Sequence, residues 1–201
     1  MTVALDTWGP LAPEVRRSHA RRIADGFYNR FLTGTVLDVG YRGDGKEAAG
    51  VPVVPWAIGV DLGSPGYNGT RLPYADNTIG TVFSSHMLEH VAVPVLLIAD
   101  WHRVVKLGGF IVCVVPHRDL YEKKHAPPSR FNEGHQCFYT PAVLLGIVEI
   151  ALAPNSYRVR HLVDNDVGYD YSIGPEEHAN GCYEIELVLQ KIKIPDWTLT
   201  E

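Results

Sequence analysis

The 201-residue sequence predicts an α/β protein built on an open, mostly parallel sheet with helices on both faces. Three observations lead there. Short apolar segments of strand type alternate with helical patterns along the chain. One of them, GFIVCVVP at 109–116, is apolar without alternation, as a strand covered on both faces is. The last two, SYRVRHLVDN and GCYEIELVLQKIKI, follow one another with no helix between them and read as a C-terminal antiparallel pair.

The elements follow in order. Residues 13–32 read as one helix opened by Pro13, with Val15, Ile23, Phe27, Phe31 and Leu32 on one face. Its arginines, Arg16, Arg17, Arg21 and Arg22, are expected on a solvated face rather than at an anion site. GTVLDVG supplies a strand at 35–39, and WAIGVDL (56–62) a second; each ends in an Asp. GTVFSSHML (80–88) begins as a third strand and turns helical around LEHV. A helix is expected over 93–106, stopped by Gly108 and Gly109. Another over 140–152 opens with an N-cap Thr140 and Pro141. Residues 117–139 are a long irregular stretch after a central strand, on the side where open α/β sheets bind ligands. The segment 164–178 is expected to be a solvated connection.

Length and composition fit one domain, 1–201: an N-terminal helix (1–33), a core (34–153) and a strand pair (154–201). A net charge of −5 gives no reason to expect a nucleic-acid partner. Apolar runs are too short for membrane insertion, and no signal-type run is read near the start. Cys113, Cys137 and Cys182 are odd in number and read as reduced thiols of a cytoplasmic protein.

Asp38 and Asp61 at successive strand ends are the first chemical signal. A glycine turn lets backbone approach a ligand, and an acid ending the next strand can accept from both ribose hydroxyls. The order of motifs downstream narrows the cofactor. LPYADNTIGTVFSSHMLEHV (72–91), then HRVVKLGGFIVCVVPH (102–117) and HQCFYTPAVLL (135–145), resembles class I S-adenosylmethionine-dependent methyltransferases of the small-molecule, type 11-like branch. The likeness runs from about 35 to 150, and the whole also resembles methyltransferase-type proteins of bacterial surface-polysaccharide gene clusters.

The resemblance implies a Rossmann-like fold, S-adenosyl-L-methionine as cofactor, and a small-molecule acceptor carrying a hydroxyl or amine, such as a sugar of a surface glycan. Asp38, Gly40, Tyr41, Arg42 and Gly43 would face the methionine end of the cofactor. Asp61 would hold the ribose, Leu62 would pack on the adenine, and Leu72 with nearby backbone would close that side. Ser84, Ser85 and His86 would border the sulfonium. The acceptor would lie against His117, the general-base candidate, and the 117–139 loop with Tyr121, Arg130, Asn132 and His135. Arg130 and Asn132 are equally able simply to tie the loop down. A homodimer is compatible with this reading.

The chain departs from the family pattern in two places. Arg42 stands in the glycine loop, where it either pairs with the cofactor carboxylate or blocks it. The stretch LGSPGYNGTR between Asp61 and Leu72 is too short for a helix plus a strand, a unit needing about ten to twelve residues or more, so the cofactor half looks trimmed. A non-catalytic relative of the fold, acting as a partner or regulatory subunit, is therefore the competing reading. His86-Met-Leu-Glu89-His90 also spells H-x-x-E-H, a zinc motif, but the methyltransferase pattern accounts for LEH without metal, and no metal is expected.

Overall fold

A computed structural model describes residue 11, residues 13–41 and residues 50–197. Arg42 and Gly43 of the expected cofactor loop lie outside the described residues. In chain order the elements are α1 (Pro13–Ala24), α2 (Phe27–Phe31), β1 (Val36–Val39), β2 (Ala57–Val60), β3 (Ile79–Ser85), α3 (Pro94–Val104), β4 (Val105–Pro116), α4 (Pro141–Ala151), β5 (Tyr157–Asn165) and β6 (Glu184–Lys191). A 3-10 turn covers Leu88–His90, and a π-helical turn covers Arg118–Glu122.

The six strands form one sheet in the order β2-β1-β3-β4-β6-β5. From β2 to β4 all neighbours are parallel, while β6 runs antiparallel to both β4 and β5. The expected mixed α/β sheet with a C-terminal antiparallel pair is thus what forms. The order in which strands are laid down reverses at β1, with β2 added on one side and β3 on the other. That leaves a crevice at the carboxyl ends of β1 and β3, where open α/β sheets take their ligands.

The continuous apolar strands are explained by cover on both faces. Leu37, Val39, Val82, Ile111, Cys113, Val115, Ile185 and Leu187 pack with Leu97, Trp101, Leu144 and Val148 of α3 and α4. Their neighbours Val36, Phe83, Val112, Val114 and Val188 pack with Phe27, Tyr28 and Phe31 of α2 on the other face. Between β2 and β3, residues 61–78 contain only turns, which accords with the expected trimming of this half.

Several boundaries differ from expectation. The first helix breaks at Gly26, whose φ of 71° is left-handed; Phe27 N–H then bonds Asp25 Oδ1, starting α2. The helix expected to run to 106 ends at Val104, and β4 starts at once. Its first pair is Ile79 with Val105 and the next is Thr81 with Phe110, so a bulge absorbs 106–109, the two glycines included. The 117–139 stretch closes on itself through a bridge between His117 and Tyr139. The 164–178 segment is mostly exposed, as expected of a solvated connection, but it is tied to the 117–139 stretch. Lys123 Nζ donates to Gly174 and Glu177 carbonyls, Tyr169 Oη donates to the Leu120 carbonyl, and Tyr121, Ala179 and Tyr183 form a small apolar cluster between the two segments.

Of the arginines of α1, Arg16 and Arg17 are exposed as expected, whereas Arg21 and Arg22 depart from expectation. Arg22 is wholly buried, with Nε 2.9 Å from Glu186 and an Nη 2.9 Å from Glu184. Arg21 also reaches Glu186. A charged face meant for water is turned inward because β6 presents two carboxylates to it.

Candidate functional site

Parallel pairing sets Asp38 opposite Gly59 and Val39 opposite Val60, so Gly40 and Asp61 emerge side by side at the carboxyl edge. Gly40 N–H bonds the Val60 carbonyl at 2.8 Å. Its φ of 82° suits glycine, and a Cβ there would fall 2.5 Å from Met87. Gly59 is needed for contact rather than conformation: the Tyr41 ring lies where its Cβ would be. Tyr41 therefore folds back over the end of β2.

Asp38 is buried, and one carboxylate oxygen accepts from Val53 N–H at 2.6 Å. Burial raises its pKa, the Val53 bond opposes this and the charge of Asp61 adds to it, leaving the carboxyl at about 7. Asp61 is half-buried; its Oδ1 accepts from Leu62 N–H, and its own N–H bonds Ser64 Oγ. Leu62 is 69% exposed, an apolar surface beside the acid that ends β2. Tyr67 packs nearby on the core, its hydroxyl pushed up to about 12 by burial and by Asp61 and Asp100.

Leu72, expected with nearby backbone to close the adenine side, is held from within the protein. Its side chain is in the core, its N–H donates to Asp100 Oδ2 at 2.7 Å, and its carbonyl accepts from Arg103 at 3.0 Å. Arg103 also holds the Tyr74 carbonyl and the Asp76 carboxylate. Leu72 and its backbone are thus fully engaged within the protein, and the 72–76 segment is clamped to α3. Asp100 and Arg103 were not anticipated from the sequence, because their partners are turn backbone about thirty residues away, which no spacing rule reveals.

At the end of β3 the pattern is donors and strain. Ser84 Oγ bonds the Val39 carbonyl, tying β3 to β1. Ser85 Oγ is buried with no hydrogen-bond partner among the described residues. His86 takes a left-handed φ of 53°, and its Nε2 lies 3.1 Å from Glu184 Oε1.

The acceptor-side candidates separate. His117 Nδ1 accepts from Asp119 N–H at 3.1 Å, capping the π-helical turn, and Nε2 lies 3.7 Å from Asp164. With Nδ1 used as acceptor, the neutral ring carries its proton on Nε2 and has no lone pair to offer; the expected general base is bound up as a cap. Arg130 donates to the Pro175 carbonyl and pairs with Glu176. Asn132 accepts from Gly134 N–H within its own turn. Both side chains thus make contacts that tie the loop down. Tyr121 is buried among Phe131, His135, His178 and Tyr183. His135 is buried too, with Nδ1 2.5 Å from Glu122.

The chain carries a match to the family model described as "Methyltransferase domain" over residues 66–113. No curated protein matches it. Among solved structures it is similar to an S-adenosylmethionine-dependent methyltransferase from Aquifex aeolicus, at 17% identity and a TM-score of 0.53, covering 90% of this chain and 94% of that one. One from Archaeoglobus fulgidus gives 15% identity and 0.52, covering 88% and 94%. The [4+2]-cyclase SpnF gives 15% identity and 0.53, covering 86% and 81%. The fold is that of class I S-adenosylmethionine-dependent methyltransferases, as the motif resemblance to that class implied.

Proposed function

We propose that this protein transfers a methyl group from S-adenosyl-L-methionine to a hydroxyl or amine of a small molecule, a sugar of a surface glycan being the favoured class. The observation that carries it is the placement of Gly40 and Asp61 side by side at the switch point. A backbone without Cβ and a carboxylate one strand away suit the amino-acid and ribose ends of such a cofactor. Buried, unpartnered Ser85 Oγ beside them adds a donor or acceptor that a ligand could use. The residues fit: Asp38, Gly40 and Tyr41 toward the methionine end, Asp61 and Leu62 toward the nucleoside, Ser84 to His86 between.

The cofactor brings an already activated methyl group, so the protein needs to align the acceptor and accommodate its proton. Calorimetric titration with S-adenosylmethionine and S-adenosylhomocysteine tests this. Binding that Asp61→Ala weakens at least tenfold supports it; no binding of either ligand overturns it.

The trimmed segment 61–78 and the likeness to a cyclase favour one second reading: a member of the fold that does not transfer methyl groups. Cofactor binding without turnover on any hydroxylated or amine acceptor would favour it.

A further inference from the structure

Next to the β3 edge the fold gathers a second set of donors. Glu89 and His90 of the 3-10 turn and His135 of the 117–139 loop each offer one ligand atom, and these lie within 4.8 Å of one another. This is not the trio the H-x-x-E-H spelling suggests. His86 turns its Nε2 to Glu184, and His135 comes in from 45 residues beyond His90 to take its place.

Two features make this more than proximity. Glu89 is 0% exposed, and among the described residues neither carboxylate oxygen has a hydrogen-bond partner. The imidazole nitrogens around it stand off, His86 Nδ1 at 3.7 Å and His135 Nε2 at 3.9 Å. A buried carboxylate without donors is costly, and a cation among these atoms removes that cost. The second feature is Glu122, itself buried, whose carboxylate takes the Nδ1 side of His135. That bond fixes the tautomer and leaves the Nε2 lone pair directed at Glu89, the relay by which carboxylates orient metal-ligating histidines.

We infer that Glu89, His90 and His135 hold one divalent transition-metal ion, with Glu122 as the positioning residue for His135. Two imidazoles and one carboxylate suit zinc, cobalt or manganese better than magnesium, which favours oxygen ligands. Bonds of about 2.1 Å place ligand atoms about 3.4 Å apart, so the side chains close in by about an ångström. Three protein ligands leave coordination positions open. Resting on the function proposed above, one of these takes the acceptor hydroxyl and lowers its pKa. The hydroxyl proton leaves to solvent, the oxygen pair forms the bond to the methyl carbon, and the sulfur–carbon bond breaks with its pair returning to sulfur. This supplies the activation that capped His117 does not.

The test uses chelator-treated full-length protein titrated with Zn²⁺ by calorimetry and with Co²⁺ by visible absorption. One equivalent of Zn²⁺ is expected, with ligand-field bands for Co²⁺. Glu89→Gln and His135→Ala are expected to weaken uptake at least 100-fold, and Glu122→Gln by 10- to 100-fold. His86→Gln should stay within threefold. No stoichiometric uptake by the wild-type protein overturns the inference, as does uptake unchanged in both Glu89→Gln and His135→Ala. Should those variants fail to fold by circular dichroism, the wild-type Co²⁺ bands and half-buried His90→Ala decide in the same sense. Cofactor binding is titrated separately. Cofactor binding without metal uptake overturns this site alone, and metal uptake without cofactor binding overturns the function alone.

Discussion

Arg22 and Glu184 meet at 2.9 Å under the sheet, and neither side chain reaches solvent. Glu186 closes the same guanidinium from the next inward position of β6, at 2.8 Å. Ser18 and Asn165 donate to Glu184 as well. Together these groups seat α1 on the antiparallel half of the sheet.

Removing Arg22 takes the shared cation from two buried carboxylates, of which Glu186 keeps Arg21. Arg22→Met is expected to cost about 3–5 kcal/mol in urea unfolding at pH 7. The cost should shrink in acid. Burial alone would raise the Glu184 carboxyl, but Arg22, His86 and Ser18 hold it down to about 2. A carboxylate with a depressed folded-state pKa contributes stability above its unfolded value near 4.5, lost as pH falls toward 2. Wild-type stability should therefore drop over that window and the variant's much less. Equal slopes would show that the pair does not carry the acid sensitivity.

Asp38 predicts the opposite sign. Its folded pKa is raised to about 7 from 3.8, chiefly by burial. The contribution is full below the unfolded pKa and declines as pH rises through 7. Asp38→Asn keeps an oxygen for the Val53 N–H and carries no charge. It should be more stable than wild type at pH 8, by on the order of 2–4 kcal/mol, with the gap closing below about pH 4. Thermal unfolding across pH 4–8 checks this; a gap independent of pH would refute it.

These two acids show what the sequence could and could not convey. Strand order and the carboxyl-edge location of Asp38 and Asp61 were legible, because continuous apolar runs and acid-ended strands encode them locally. The strand of β6 was legible too, but the meaning of its acids was not. Glu184 and Glu186 alternate with Ile185 and Leu187, and only α1, more than 150 residues earlier, converts that polar face into a buried ion cluster. His135 was read as an acceptor contact for the same reason: its partners Glu122 and Glu89 come from loop closure, which has no period to detect. Local pattern gives the scaffold, whereas long-range polar pairing gives the site.

The clamp on 72–76 gives a third prediction. Asp100 accepts from Leu72 N–H and from Arg103 Nε, each at 2.7 Å. Asp100→Ala strands a buried N–H and takes one carboxylate partner from Arg103, so a loss of about 2–3 kcal/mol is expected. Amide exchange at Leu72 should speed up at least tenfold, and cofactor affinity should fall although Asp100 itself lies outside the cofactor crevice. Exchange at wild-type rates would show that Leu72 is held by its side chain alone.

His117 supplies the last prediction, since its two proposed parts demand different replacements. As a cap, its ring accepts one backbone N–H from Asp119, a task that asparagine performs well. As a general base it would need an ionisable nitrogen, and its loss would slow turnover by about 10²–10⁴-fold. His117→Asn is therefore expected to keep kcat within about threefold of wild type, with an unchanged pH profile. His117→Ala should lower stability by about 1 kcal/mol through the lost cap. If His117→Asn instead loses turnover a hundredfold at unchanged stability, the ring must release Asp119 and act on the acceptor. The capped geometry would then be the resting arrangement of a base, and the activating role given to Glu89, His90 and His135 would no longer be required.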